Sequence, residues 1–136
     1  ELLLLMAARS NHINKVIIPN LKKGKIVISD RYADSSFVYQ GYVNKFGIKK
    51  AQKLHKELLN NFFPDYTFIF KINPKEIIKR LKQRKVKNKY DRSNILFHQS
   101  VIQGYKKIAT PKRYITVDAS LSKEIIHKNI IKKLKL

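Results

Sequence analysis

Apolar residues recur along this chain at two spacings, and the two spacings alternate from the amino terminus to the carboxyl terminus. Short β-branched or aromatic runs predict strands, and apolar residues three or four positions apart predict helices. Helices are predicted at 1–18, 47–62, 74–84, 94–109 and 121–135, strands at 25–29, 66–72 and 113–117, and polar or loop segments at 30–46 and 85–93. Alternating helices and strands predict an α/β fold, a parallel sheet with flanking helices.

The helix at 47–62 has the clearest periodicity in the chain. Its predicted apolar face consists of Ile48, Ala51, Leu54, Leu58 and Phe62. Pro64 is expected to end this helix and Pro74 to open the next one, because proline suits the first turn of a helix but not its interior. In the helix at 94–109, the residues on one side are Phe97, Val101, Tyr105 and Ile108.

Candidate chemistry follows the first predicted strand. The strand is succeeded by Asp30 and Arg31, and then by serines and tyrosines within a few residues. Ligands of open α/β sheets bind beyond the carboxyl ends of the strands, where an arginine can grip phosphate oxygens with two parallel hydrogen bonds. The alternative at this point is an ordinary surface ion pair.

Composition narrows the class of protein. A length of 136 residues with 43% hydrophobic residues is typical of one globular domain. The absence of cysteine excludes disulfides and cysteine-bound zinc and is compatible with a reducing cytoplasm. The longest apolar run, 2–8, is too short to cross a membrane. The four histidines lack ligand spacing and are interpreted as surface or partner-packing groups; they are His12, His55, His98 and His127.

The net charge of +21 raises the possibility of nucleic-acid binding. The lysines, however, are spread over several predicted helices, and no zinc pattern, aromatic RNA-binding strand or helix-turn-helix is present. A bias towards lysine, isoleucine and asparagine on solvated faces is the plainer account of the charge, so nucleic acid is not the expected partner. Phosphorylated small substrates also favour positive sites.

Five short motifs, in one order, resemble the thymidylate kinase family over essentially the whole chain. The segments are 1–12 (a helix carrying an arginine), 30–41 (Asp-Arg-Tyr, Ser-Ser, Tyr-Gln-Gly), 63–67 (Phe-Pro-Asp-Tyr-Thr), 90–92 (Tyr-Asp-Arg) and 117–120 (Val-Asp-Ala-Ser). The resemblance implies a P-loop kinase fold and transfer of a phosphoryl group from ATP to dTMP.

The family's phosphate-binding loop has no counterpart among the four glycines of this chain. The sequence also opens on Glu1 inside an apolar pattern. The resemblance therefore implies that residues 1–136 are the C-terminal two-thirds of one thymidylate kinase domain, lacking the first two strands and the P-loop helix. The lid of that domain would lie at about 85–93. Such a chain alone is expected not to phosphorylate dTMP. Since the absent first strand would separate them, segments 25–29 and 66–72 are expected not to pair.

The resemblance also assigns site residues. Asp30, Arg31 and Arg92 match catalytic positions, and the acceptor nucleotide would be bound by Leu5, Arg9, Tyr32, Ser36, Tyr39 and Gln40. Arg84, Asp91, Ala119 and Ser120 match the ATP side. From local chemistry alone, Arg9 could instead extend to solvent and Tyr39 could be a core aromatic. Magnesium is expected with ATP, with no direct protein ligand and Asp30 acting through water.

Departures from the family lie at Leu5, where relatives have phenylalanine, at Lys71, where many have aspartate, and at Ser93 and Asn94 after the lid. The resemblance further implies a cytoplasmic homodimer with no membrane association. Two alternatives stay open: another nucleoside or nucleotide kinase of the same fold, and a basic nucleic-acid-binding domain.

Overall fold

The computed structural model describes residues 1–83, 94–109 and 112–135 and divides into two units. The first unit contains Glu1–Phe63 and Ser100–Ile108, and the second contains Pro64–Gln99 and Ala109–Leu136. The elements are α1 (Leu2–His12), α2 (Ile18–Lys22), α3 (Ala33–Ser36), α4 (Ile48–Leu59), β1 (Thr67–Lys71), α5 (Pro74–Gln83), α6 (Ile95–Ile108), β2 (Tyr114–Asp118) and α7 (Lys123–Leu134), with π-helical turns at Ile13–Ile17 and Phe37–Val43.

The first unit is helical and has two apolar clusters. One cluster joins Met6, Ile13 and Ile17 to Leu59 of α4. The other buries Ala33, Phe37, Val38, Ala51 and Ile108, which belong to three different helices. Because these clusters fix the residues between 30 and 43 against α1, α4 and α6, they determine where the predicted site lies in this unit.

The second unit contains the described sheet. Strands β1 and β2 pair in parallel, in a register that runs from Thr67 opposite Tyr114 to Lys71 opposite Asp118. Helix α5 follows β1 and helix α7 follows β2, so each strand leads directly into a helix. This arrangement confirms the predicted α/β class and the parallel pairing. No helix in the described part of the chain is long and apolar enough to span a membrane.

The predicted strand at 25–29 is wrong. This segment has no regular secondary structure, Ile28 is 90% exposed, and the two strands of the described sheet are β1 and β2. A strand forms only when a neighbouring strand satisfies its backbone groups, and among residues 1–83, 94–109 and 112–135 none pairs with it. The two predicted strands 25–29 and 66–72 accordingly do not form one ladder.

The predicted loop at 30–46 is also wrong over most of its length, because α3 and the π-helical segment Phe37–Val43 form one continuous helix from 33 to 43. The serine, glycine and aspartate content favoured a loop, but burial of Phe37 and Val38 overrides that local preference. The first helix likewise continues past 18, where the backbone N–H of Ile18 bonds to the carbonyl of Ile13 and Pro19 occupies the first turn of α2.

The remaining helices and strands begin and end within three residues of their predicted bounds. The face of α4, however, is displaced by one position. The buried residues are Ala51, His55 and Leu59, whereas the predicted core residue Leu58 is 51% exposed. A histidine in the buried row concealed this spacing from an argument based on apolar residues.

Candidate functional site

The loop before the helix at 33–43 holds Arg31 in an unusual backbone conformation. Its φ is 69°, in the left-handed region that residues with a Cβ rarely occupy. The hydroxyl of Ser29 donates to the carbonyl oxygen of Arg31 at 3.1 Å and helps to hold the turn. Strained residues of this kind are concentrated at functional sites, and here the strain falls on a residue that the sequence assigned to the site.

The side chain of Arg31 lies along the helix at 33–43. Its guanidinium carbon is 4.6 Å from the ring centre of Tyr39, and its Nε donates to the hydroxyl of Ser35 at 3.1 Å. Ser35 also hydrogen-bonds to the hydroxyl of Tyr105 on α6, at 3.1 Å. Within the described residues, the two terminal amino groups of Arg31 make no hydrogen bond, so the fork is open to an anion.

Arg9 approaches the same helix from α1. One terminal nitrogen donates to the hydroxyl of Ser36 at 2.9 Å and to the carbonyl of Tyr32 at 3.4 Å, and the guanidinium lies 5.2 Å from the Tyr32 ring centre. Burial lowers the pKa of Arg9, while its interactions with Tyr32 and with the buried carboxylate of Asp34 oppose that shift. A partly desolvated arginine is stabilised further by an anionic partner.

Tyr32 is anchored at the end of α4. Its hydroxyl donates to the carbonyl of Phe62 at 3.2 Å, and Nε2 of His55 lies 3.0 Å from the same oxygen. Burial raises the pKa of Tyr32 to about 12. His55 is fully buried and makes ring contacts with Tyr32, Phe37 and Phe63. Its interpretation as a surface or partner-packing group was therefore wrong.

The other predicted acceptor residues differ in exposure. Gln40 is 7% exposed and donates to Glu1 at 3.1 Å. Asp30 is exposed, and Leu5, which is 38% exposed, belongs to neither apolar cluster. A cavity of about 100 Å³, lined in part by Ile13, Leu59 and Phe62, contains none of the predicted acceptor residues. Convergence of Asp30, Arg31, Arg9, Ser36 and Tyr39 on one pocket stays a prediction.

Two of the predicted ATP-side residues, Ala119 and Ser120, lie in the turn after β2 in the second unit. The N–H and hydroxyl of Ser120 both donate to the carboxylate of Asp118, at 2.9 and 2.7 Å, and these bonds lower the pKa of Asp118. Ala119 donates its N–H to Lys71 and accepts from Arg80 at 3.1 Å. The loop is thus held by an aspartate on one side and by an arginine of α5 on the other.

Several predicted residues lie outside the described part of the chain. They are Arg84, Asp91, Arg92 and Ser93, together with the lid at 85–93. In the ranges 1–83, 94–109 and 112–135, no three histidine or acidic side chains form a group that could hold a metal ion.

Three residues of the first unit contact the site without having been assigned a role by the sequence. Tyr105 was predicted only as part of an apolar helix face, and His55 was interpreted as a surface or partner-packing group. Asp34 lies within the motif but was not assigned a role. The sequence contained a feature that could have pointed to Tyr105 and another that could have pointed to Asp34. The helical spacing of Tyr105 marked it as inward-facing, and Asp34 lies four residues from Asp30, close to a predicted phosphate clamp.

Comparison with known proteins gives the family. A sequence profile described as "Thymidylate kinase" matches residues 1–130. A thymidylate kinase of Staphylococcus epidermidis is 40% identical and covers 99% of this chain, which spans 70% of that relative. Relatives of the same name from Bacillus velezensis and Mycoplasmopsis pulmonis are each 38% identical, and the chain spans 61% and 60% of their lengths. This chain belongs to the thymidylate kinase family.

Proposed function

We propose that this chain carries the acceptor site of an enzyme that transfers the γ-phosphoryl group of ATP to dTMP, giving ADP and dTDP. One observation supports this function above others. Arg9 of α1 and Arg31 of the loop before the helix at 33–43 both hydrogen-bond to side chains of that helix. A pair of cations held on one helix suits a small phosphorylated ligand better than an extended polyanion.

In this proposal the arginines hold the phosphate of dTMP. Arg31 offers its open fork in a geometry that matches phosphate oxygens, and Arg9 contributes a partly desolvated charge. Tyr39, whose ring lies against the Arg31 guanidinium, offers a flat face to the sugar or the base. Ser36, which accepts a hydrogen bond from Arg9, contributes its hydroxyl to the base pocket. Phosphoryl transfer requires little covalent chemistry from the protein, so holding the acceptor oxygen in line with the donor is the main catalytic contribution.

The donor side of the proposal involves ATP, with the loop at Ala119 and Ser120 next to its base. Magnesium, when bound with ATP, neutralises charge on the phosphates. The exposed carboxylate of Asp30 fits contact through a water molecule of the ion rather than direct ligation. Arg84, Asp91 and Arg92 keep their proposed roles on the donor and the lid. A cytoplasmic location belongs to the same proposal, since the chain has no cysteine.

A homodimer is also part of the proposal. Leu3 and Leu4 of α1 are 64% and 76% exposed, which is typical of an apolar face that a partner covers. Sedimentation equilibrium of the chain at several concentrations tests this part, and a monomer at all of them would contradict it.

The acceptor site is tested by calorimetric titration of the chain with dTMP, dAMP and thymidine. We expect dTMP to bind more tightly than either of the others. Arg31→Ala and Arg9→Ala should each weaken dTMP binding about tenfold or more, because a hydrogen bond to a charged group contributes roughly 1.5–3 kcal/mol. Lys49→Ala, at an exposed position of α4, is the control and should leave the affinity unchanged.

Phosphoryl transfer is tested separately, with the chain joined to the parts of the Staphylococcus epidermidis relative that its alignment leaves uncovered. ATP-dependent formation of dTDP is the expected result, and Arg31→Ala should abolish most of it. Phosphorylation of thymidine rather than dTMP would favour a deoxynucleoside kinase. Strongly salt-dependent DNA binding without dTMP binding would favour a nucleic-acid-binding protein.

A further inference from the structure

Tyr105 of α6 carries a hydroxyl in apolar surroundings, and the proposed mechanism does not use it. Its ring packs against the buried cluster that contains Ala33, Phe37 and Ile108. Burial raises the pKa of Tyr105, so the hydroxyl stays protonated at neutral pH. A phenylalanine would make the same apolar contacts without a polar group to satisfy, so the hydroxyl needs an explanation beyond packing.

The hydroxyl of Tyr105 has a partner next to the site. It lies 3.1 Å from Oγ of Ser35, a residue 70 positions away in the chain. The two residues meet because α6 approaches the helix at 33–43 closely at the neighbouring position, where a Cβ on Gly104 would lie 2.8 Å from Cγ1 of Val38. The hydroxyl of Ser35 is therefore bonded to a ring that the apolar cluster holds in place.

Ser35 connects this fixed ring to Arg31. Its Oγ accepts a hydrogen bond from Nε of Arg31 at 3.1 Å. A serine side chain has three staggered rotamers, and the bond to Tyr105 favours the one in which Oγ also meets Nε. Hydrogen bonds that share an atom in this way strengthen one another. Two consecutive hydrogen bonds thus run from α6 to the guanidinium.

We infer that Tyr105 is a positioning residue for the phosphate-binding arginine Arg31, acting through the hydroxyl of Ser35. The inference rests on the proposed function, because it takes Arg31 to contact the phosphate of dTMP. An arginine that is already oriented loses less conformational entropy when its ligand binds. Loss of the Tyr105 hydroxyl should therefore weaken recognition of the phosphate and leave recognition of the nucleoside intact.

The first test compares dTMP with thymidine by calorimetric titration of the full 136-residue chain. Tyr105→Phe keeps the ring in the apolar cluster and removes only the hydroxyl. It should weaken dTMP binding about three- to tenfold, the loss expected for one hydrogen bond, and change the affinity for thymidine by less than about twofold. Tyr66→Phe removes a hydroxyl at an exposed position before β1 and is the matched control, which should change neither affinity.

Combined variants test the route of the effect. In a Ser35→Ala or an Arg31→Ala background, Tyr105→Phe should cause no further loss of dTMP affinity, because residues that act as one unit are not additive. The same loss as in the wild-type background would show that Tyr105 acts elsewhere, and it would overturn the inference. If Tyr105→Phe does not fold, Ser35→Ala replaces it, and an unchanged affinity for dTMP in that variant overturns the inference.

A measurement on the ligand-free chain tests the orientation of the arginine directly. The Nε–H of Arg31 should exchange with solvent about threefold or more slowly in the wild type than in Tyr105→Phe, as measured by NMR, because the second hydrogen bond protects the first. Equal exchange rates in the two chains overturn the inference, whether or not dTMP binds.

The outcomes separate the inference from the function on which it rests. A wild-type chain that does not bind dTMP overturns the proposed function, and with it the role of Tyr105 in phosphate recognition. Binding of dTMP that depends on Arg31 but is unchanged in Tyr105→Phe overturns the inference alone. Equal losses of affinity for dTMP and thymidine in Tyr105→Phe show that the hydroxyl only supports the fold, and they also overturn the inference.

Discussion

Gly104 of α6 packs closely against the helix at 33–43. A Cβ built on this residue would be 2.8 Å from Cγ1 of Val38 and 3.0 Å from Cδ1 of Tyr42. Val38 is fully buried, and its β-branched side chain has little rotamer freedom. The contact therefore cannot be relieved by a small rotation, and Gly104→Ala must displace α6 from the helix at 33–43.

The expected change in stability is the difference of two effects. Replacing glycine by alanine inside a helix gains about 1 kcal/mol from helix propensity. Adding a methyl group to a well-packed core costs about 1–3 kcal/mol. We expect Gly104→Ala to lower the free energy of unfolding by about 1 kcal/mol, whereas the same change at an open helical position would raise it by a similar amount.

Equilibrium urea unfolding measures this difference, with the midpoint and the slope fitted separately. Gln103→Ala, at the exposed neighbouring position of the same helix, is the control and should change stability by less than about 0.5 kcal/mol. Val38→Ala combined with Gly104→Ala should be more stable than the sum of the single changes predicts, by about 1 kcal/mol, because the smaller side chain accommodates the new methyl group. A Gly104→Ala chain as stable as the wild type would refute the reasoning from this contact.

Three further predictions concern other parts of the chain. Burial raises the pKa of Tyr32 to about 12, whereas an unfolded tyrosine titrates at about 10. The neutral side chain therefore contributes stability below pH ~10 that is lost as the pH rises towards 12. Urea unfolding across this range should show a shallower decline in the free energy of unfolding for Tyr32→Phe than for the wild type. Ser122 caps α7 by accepting from the N–H of Ile125, so Ser122→Ala should cost about 1 kcal/mol and Ser122→Asp much less, as measured by thermal unfolding; equal losses would contradict a capping role. Gly24 has a φ of +71° and no atom near its absent Cβ, so Gly24→Ala should destabilise by roughly 1–2 kcal/mol through backbone strain alone, and Gly24→Asn by less; an unchanged melting temperature for Gly24→Ala would be evidence against that strain.

The elements that the sequence predicted well are those whose pattern is sufficient by itself. Strands β1 and β2 and helices α5 and α7 have clear periodicity and are bounded by proline, by a capping serine or by polar turns. Segment 25–29 has an equally apolar sequence, but a strand also requires a neighbour that only the tertiary structure supplies. The opposite error occurred at 33–43, where a loop was predicted and a helix forms, because packing of Phe37 and Val38 outweighs the loop-like composition of the segment.

The candidate site likewise has some features that the local sequence predicts and others that depend on the tertiary structure. The motifs are sufficient to identify Arg9, Arg31, Ser36 and Tyr39 as candidates, because the chemistry proposed for each follows from its residue type. The hydrogen bond between Arg9 and Ser36 joins residues 27 positions apart, and no local pattern encodes it. His55 was missed because a polar residue was taken to be exposed, whereas it occupies the centre of the buried row of α4.

The conformation of Arg31 connects the fold to the proposed chemistry. A left-handed backbone at a residue other than glycine costs roughly 1–3 kcal/mol, so it persists only where surrounding contacts determine it. Those contacts are present on both sides: Ser29 bonds to the Arg31 carbonyl, and Ser35, itself bonded to Tyr105 of α6, accepts from Nε. Folding therefore orients this guanidinium before any ligand arrives, at the expense of local strain. A phosphate that binds to such an oriented fork avoids much of the entropy of ordering a flexible arginine, which is what a site that must align two anions requires.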